Sequence, residues 1–288
     1  MDTGIGLPNT VPGTTRQQLL EWARAAEEAG FSSLGTIDRI VYPNYEPLIA
    51  LSAAAAVTER IRLATTVMLG PLRVNAALIA KQVLTLDALA GGGRAVLGIG
   101  LGGREDDYQV SGVSMSGRGA WRDRALPQIR RIFDGQSGDD AKIGPRPQDG
   151  GPSLIVGGSV QASFERAARY GDGWIMGGGT PDQFKDAVEQ LLSAWEKEGR
   201  DGEPRKMALA YFSLGADAKV TADRYLRDYY GFLGAEQSAM IAGSAATDSE
   251  TVSAYVSAFE SAGCDELVLF PSSSDPAQVG LLAEAIGR

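Results

Sequence analysis

The sequence predicts an α/β fold, a (β/α)8 barrel, and three observations carry that expectation. Short apolar runs alternate with amphipathic stretches along 288 residues, giving eight strand candidates, each followed by at least one helix. Right-handed crossovers through such a series close most naturally into a barrel. Several strand candidates also run directly into polar or glycine-rich turns, which in a barrel gather at the mouth formed by the strands' C-terminal ends. The chain reads as one domain over 1–288, with longer connections near 101–120, 135–152 and 215–247.

The elements follow in order. Thr3 to Leu7 is a first strand, ended by Pro8-Asn9. Thr15 and Gln18 have capping-box spacing, and Leu19, Trp22, Ala23 and Ala26 form a helical stripe closed by Gly30. Phe31 to Ile37 is the second strand, stopping at Asp38-Arg39. The next helix, about Glu46 to Thr58, is apolar nearly all round, so it should be buried or lie at an interface. Ile61 to Leu69 is a third strand rich in β-branched residues, and a third helix runs from about Val74 to Leu89. Ala95 to Ile99, the fourth strand, opens into Gly100-Leu101-Gly102-Gly103. Arg104 to Gly119 is polar and shows no helical stripe, after which Trp121, Ala125, Leu126, Ile129, Ile132 and Phe133 mark a fourth helix.

Gly135 to Pro152, dominated by Gly, Pro and Asp, reads as a linker or as a mobile lid over a site. Ser153 to Val156 is strand five, feeding Gly157-Gly158-Ser159 and a helix to about Tyr170. Trp174 to Met176 is strand six, feeding Gly177-Gly178-Gly179. Thr180, Pro181 and Gln183 make a strong helix start. Met207 to Leu214 is strand seven, followed by a helix from Asp217 to Leu233 that carries Tyr225, Tyr229 and Tyr230. Thr247 and Glu250 cap another helix, Glu266 to Phe270 is strand eight, and Asp275-Pro276 opens the last helix.

Composition excludes whole classes of function. A net charge of −9 with no cationic stripe argues against nucleic acid as a partner. No apolar run has transmembrane length and no basic-then-apolar leader is visible, so a cytoplasmic protein without a membrane partner is expected. The single cysteine, Cys264, forbids an intrachain disulfide and, lying just before an apolar run, reads as a buried structural thiol. There is no histidine, which removes Ser-His-Asp and Cys-His sites, histidine zinc ligands and a histidine general base. Chemistry is left to carboxylates, Arg, Lys, Tyr, Ser or a bound cofactor.

Gly98, Gly100 and Gly103 satisfy G-x-G-x-x-G, but the dinucleotide fingerprint needs a helix to begin at the third glycine. A glycine-rich loop at a barrel mouth suits the context better. The two turns after strands five and six each lead into a helix, where bare N–H groups and the helix dipole suit a phosphate. Asp38-Arg39 is either a surface ion pair or a functional pair at a strand's end. Arg104, Glu105, Asp106 and Asp107 read as a solvated charged loop rather than a metal cluster, because consecutive side chains in a loop diverge. The three tyrosines read as packing more readily than as a substrate wall.

Several ordered blocks resemble a known family. They are Ala25-Ala26-Glu27-Glu28-Ala29-Gly30-Phe31, Thr58-Glu59-Arg60-Ile61-Arg62-Leu63, Ala80-Lys81-Gln82 with Thr85-Leu86-Asp87, and Gly92-Gly93-Arg94-Ala95-Val96-Leu97-Gly98-Ile99-Gly100. Ile155-Val156-Gly157-Gly158 and Ala167 through Trp174 continue the series. Over essentially its whole length the sequence resembles the bacterial luciferase-like flavin-dependent oxidoreductases. The resemblance implies a barrel that binds reduced FMN, or the deazaflavin coenzyme F420, in its mouth. It places Asp38 beside the isoalloxazine end and matches Thr66-Val67 to a strand-three bulge, often a non-proline cis peptide, that props the ring. Gly100, Gly102, Gly103 and Glu105 would line the ribityl side, while Gly157, Gly158, Ser159, Gly177 and Gly178 would cradle the phosphate.

The activity implied is a monooxygenase using reduced FMN and O2 on a small organic substrate, with a separate flavin reductase as a partner. The alternative is an F420-dependent reductase or dehydrogenase transferring hydride, and a third reading is a flavin-binding protein without catalysis. A homodimer, through the second and third helices, is implied as well. Asp38 and Arg39 are the catalytic candidates. Many relatives have histidine where this chain has Arg39; arginine stays protonated and can only donate hydrogen bonds or hold an anion.

Overall fold

A computed structural model of the chain describes residues 1–136, 142–148 and 150–288. Eight parallel strands close in sequence order: β1 (Asp2–Gly6), β2 (Ser33–Thr36), β3 (Arg62–Leu69), β4 (Ala95–Gly100), β5 (Ser153–Gly157), β6 (Gly173–Met176), β7 (Arg205–Phe212) and β8 (Glu266–Pro271). The seam is made by Asp2, Thr3, Gly4 and Ile5 against Glu266, Leu267, Val268 and Leu269. Closure leaves no strand edge to protect, and helices outside with side chains inside explain why the strands are apolar runs rather than alternating ones. The barrel's floor is polar. Buried Glu266 accepts the hydroxyls of Ser32 and Ser33 at 2.6 and 2.7 Å and pairs with Arg205 at 2.9 Å, while Arg62 lies 3.3 Å away.

The helices are α1 (Arg16–Glu28), α2 (Pro47–Ala55), α3 (Ala76–Leu89), α4 (Glu105–Val110), α5 (Arg118–Phe133), α6 (Gln161–Tyr170), α7 (Pro181–Lys197), α8 (Ala218–Tyr229), α9 (Ala235–Gly243), α10 (Ser249–Ser261) and α11 (Ala277–Ala285). Both capping boxes read from sequence form, Thr15 with Gln18 and Thr180 with Gln183. Four expectations need correcting. Arg104 to Gly119 is not a loop without helix, because α4 occupies its first half. The cap of α10 is Asp248 rather than Thr247, its carboxylate accepting the Thr251 N–H at 2.7 Å. The long helix after β7 stops at Tyr229, and the separate α9 follows a 3-10 turn over Gly231–Leu233.

The fourth correction concerns the lid. Gly135 to Pro152 joins the C-terminus of α5 to the start of β5, so its ends lie at the floor, away from the mouth. Lys81 donates to the Gly144 carbonyl there at 3.1 Å. Residues 137–141 and 149 of that connection lie outside the described residues.

The glycines of β4 have a packing cause. The β3–β4 register slips by one residue between Thr65 and Met68, so Thr66 and Val67 together oppose Gly98, and the Thr66–Val67 peptide is cis. A Cβ on Gly98 would strike the Thr65 carbonyl, and one on Gly100 would come within 2.5 Å of the Val67 side chain. Gly157 is nearly as tight, at 3.0 Å from the same valine. The G-x-G pattern therefore makes room for a bulge, and the closed barrel excludes the open dinucleotide-binding sheet.

Trp174 links core to mouth. Fully buried, it lies between Phe164 and Phe184, with ring centroids 5.5 and 5.6 Å away, and its indole N–H donates to the Gly158 carbonyl at 2.7 Å. Trp174→Ala is expected to cost about 3–5 kcal/mol in urea unfolding. Trp174→Phe keeps most of the buried ring and should cost only about 1 kcal/mol for the lost hydrogen bond.

Candidate active site

The mouth collects what the strand ends deliver. After β5, β6 and the β4–α4 turn, Gly100, Gly102, Gly157, Gly158, Ser159, Gly177 and Gly178 line one cleft of about 470 Å³, with Val67 at its base. Gly158, Gly178 and Gly179 have φ of +131°, +132° and +138°, which a side chain would resist. Two cations unremarked in the sequence, Arg118 and Arg122, line the same cleft, and among the described residues no acidic one does.

Arg122 is the more telling. It is buried on the inner face of α5, donates to the Gly157 carbonyl at 2.8 Å and to the Ser163 hydroxyl at 3.3 Å, and pairs with no carboxylate among the described residues. Its Nε has no partner. Burial, and then the neighbouring Arg166, lower its pKa to about 10, so it stays charged near neutral pH. An uncompensated buried cation against one glycine turn, in a cleft that a second such turn also lines, fits an anion such as a phosphate. Sequence did hold a signal for it: residues 122, 125, 126 and 129 share a helical face, so Arg122 interrupts an apolar stripe.

Asp38 stands elsewhere in the mouth, after β2. It is buried, accepts the Leu69 N–H at 2.9 Å, and is held at 3.0 Å by Arg73, which also reaches Glu46 at 3.0 Å. Arg73 belongs to the 3-10 turn Gly70–Arg73 that ends β3. Burial dominates and pushes the Asp38 carboxyl up to about 6, against the pull of Arg73 and the Leu69 N–H. Asp38 and Arg39 do not pair with each other. Arg39 turns to the Tyr229 carbonyl at 3.2 Å and to Asp106 at 3.5 Å.

The charged run after Gly103 is not a solvated loop. Asp107 is fully buried and accepts the N–H groups of Ile40 and Val41 at 2.9 and 2.7 Å, tying α4 to the segment after β2. Arg104 is buried too, donating to the Tyr229 carbonyl at 3.1 Å. Glu105 is exposed beside Gln109, and neither it nor Gly103 lines the cleft. Thr66 is buried, its hydroxyl donating to the Thr36 carbonyl at 3.3 Å.

The tyrosines form the wall around Arg39 and Arg104. Tyr211 and Tyr230 share a hydrogen bond of 2.7 Å, and Tyr225 meets the Thr10 hydroxyl at 2.8 Å. Burial raises the pKa of all four phenols, Tyr211, Tyr225, Tyr229 and Tyr230, so they remain protonated. Cys264 is buried behind the barrel wall, with burial pushing its thiol up to about 12, and takes no part. Among the described residues no group of three or more His, Cys, Asp or Glu is placed to hold a metal, and no helix is long and apolar enough to cross a membrane.

The model of the luciferase-like monooxygenase family matches residues 1–280. The chain belongs to that family. Among its relatives, an uncharacterized protein of Mycobacterium tuberculosis is 33% identical over 209 residues, 62% of this chain and 71% of that one. The F420-dependent glucose-6-phosphate dehydrogenase of Amycolatopsis mediterranei is 31% identical over 64% of this chain and 62% of its own length. Two solved structures share the fold of this luciferase-like chain. They are monooxygenase RslO1 from Streptomyces bottropensis (TM-score 0.78, 22% identity, 99% of this chain and 98% of that one) and an F420-dependent secondary alcohol dehydrogenase in complex with an F420-acetone adduct (0.81, 21%, all of both chains).

Asp38 sets a pH signature. Its folded pKa of about 6 exceeds the unfolded value of 3.8, so between those values the native state binds more protons and stability falls as pH rises. The stability of wild type relative to Asp38→Asn should therefore drop by about 3 kcal/mol in all between about pH 3 and pH 7, most of it between pH 3.8 and pH 6, and level off above about pH 7, as urea titrations would read.

Proposed function

We propose that this luciferase-like chain is an oxidoreductase that binds a reduced flavin-type coenzyme across its mouth, and that its main activity is monooxygenation with reduced FMN and O2. One observation carries the coenzyme reading: buried Arg122, without a carboxylate partner among the described residues, bonds the glycine turn at 157–158 in a cleft that the turn at 177–178 also lines. The coenzyme's phosphate is assigned to those turns with Ser159, Arg122 and Arg118. Val67, which lines the same cleft, would support the ring. Asp38, clamped by Arg73, holds a proton at mildly acidic pH and gives it up near neutrality, and would face the ring end of the coenzyme. The tyrosine wall excludes water while its phenols stay protonated.

When bound, the coenzyme supplies the electrons, to O2 in the case of FMN or as hydride in the case of F420. The second case is favoured by the Amycolatopsis relative, which is F420-dependent by name. A flavin reductase as partner accompanies the first case alone, and a small organic molecule is the substrate in both. A cytoplasmic location accords with the single cysteine, which can form no intrachain disulfide. A homodimer through α2 and α3 is part of the same reading, because Ile49, Leu78 and Leu89 leave their outer faces apolar and exposed. Light scattering should give twice the chain mass of 30.3 kDa; a monomer removes this part.

Anaerobic titration with reduced FMN and with reduced F420, followed by admission of air, decides between the two. O2 consumption coupled to reduced FMN supports monooxygenation, whereas tight F420 binding without O2 uptake transfers the reading to hydride chemistry. Heat from neither coenzyme defeats both. Arg122→Gln should weaken the bound coenzyme about 10- to 150-fold, the worth of a hydrogen bond to a charged group, with the native fold retained by circular dichroism.

A further inference from the structure

Two more arginines meet where the mouth is lined by aromatic rings. Arg39 follows β2 and Arg104 precedes α4, yet both donate to one acceptor, the carbonyl oxygen of Tyr229, at 3.2 and 3.1 Å. The Arg39 side chain is 10% exposed and Arg104 is 8% exposed. Cations buried this far ordinarily face a carboxylate. Arg104 pairs with none among the described residues, and Arg39 has only the 3.5 Å contact to Asp106. The other acids nearby are engaged: Asp38 by Arg73, Asp107 by two backbone N–H groups, and Asp228 by the Tyr42 hydroxyl.

The free valences have a direction. Rings cover the flat faces of the guanidinium groups, Tyr42 at 4.6 Å from Arg39, and Tyr229 and Phe232 at 4.5 and 4.2 Å from Arg104. What remains is the in-plane edge, and the Nε of each arginine is buried without a partner. In-plane N–H groups of arginine match the oxygens of a carboxylate. Around this charged corner Ile40, Val41, Phe232 and Leu233 expose apolar surface, the kind of border that an apolar ligand body covers.

We propose that Arg39 and Arg104 bind the carboxylate of an organic acid with an apolar body, and that such acids are the substrate class of this mouth. The binding claim stands on the corner itself; only the word substrate rests on the coenzyme reading above. The coenzyme's phosphate has its own cleft with Arg118 and Arg122, and FMN carries no carboxylate, so with FMN bound the acid recognised by Arg39 and Arg104 belongs to a second molecule.

The probe is an isosteric pair, cinnamate and cinnamamide, titrated calorimetrically into the full chain alone and with bound FMN or F420. Cinnamate should bind at least about 10-fold more tightly than the amide, the worth of a charge-assisted hydrogen bond. Arg104→Gln should erase that preference while leaving affinity for coenzyme within about twofold, and Arg39→Lys, which keeps charge but not the fork, should fall between. Should Arg104→Gln fail to fold, Arg39→Gln takes its place in the same measurement. Equal binding of acid and amide, binding of neither, or an unchanged preference in the glutamine variant overturns the proposal. A parallel loss of coenzyme affinity in that variant also overturns it, by assigning the arginines to the coenzyme. Preference for the acid together with no coenzyme binding leaves the corner standing and defeats the coenzyme reading alone.

Discussion

Closure of the barrel is the constraint on which the rest depends, and it is secured at the floor. Pairing of β1 with β8 brings Glu266 beside residues of β2, β3 and β7, and its buried carboxylate is met by Ser32, Ser33, Arg205 and Arg62. A buried acid so fully partnered contributes little net stability, but removing both arginines would leave its charge without a cation. Because the seam joins these strands in one register, every strand ends at the same rim. Side chains far apart in the chain, such as Asp38, Arg104, Arg122 and Tyr229, thereby come to share one opening.

The rim differs in charge from the molecule that carries it. The chain as a whole is at −9. At the mouth, however, the buried acids are spent on the protein's own groups: Asp107 on backbone amides, Asp38 on Arg73 and an amide. Arg39, Arg104 and Arg122 are left with weak or no acidic partners. An opening that is locally short of anions within an acidic protein draws anionic ligands to one place and repels them elsewhere. The absence of histidine sharpens this, since the mouth's cations are guanidinium groups that keep their charge across the physiological range.

The sequence disclosed some of this and hid the rest, for physical reasons. Strands buried on both faces write themselves as short apolar runs, so all eight were legible, as were the capping boxes at Thr15 and Thr180. The glycine turns after β5 and β6 were legible because a tight turn permits few other residues. By contrast, α4 and α9 are short and hide only a few side chains, so no stripe betrays them. Asp107 looked like one more exposed acid because its partners, the amides of Ile40 and Val41, lie more than sixty positions earlier in the chain. Arg73 is in the same position, paired with Asp38 by the fold alone. Arg122 was legible in principle, as a cation placed on an apolar helical face.

The accommodation of Val67 by Gly100 and Gly157 has a consequence for how such a protein can vary. The valine occupies volume that a methyl group at position 100 on β4 or 157 on β5 would claim. At position 98 the Thr65 carbonyl bars an alanine whatever residue stands at 67. An alanine at position 100 is intolerable in the present background, yet it becomes admissible once position 67 has shrunk. The same alanine is harmful or harmless according to a residue on another strand. Evolutionary paths through this part of the barrel are thus ordered, with change on β3 coming first, and homologous sequences should covary at these positions although no polar contact connects them.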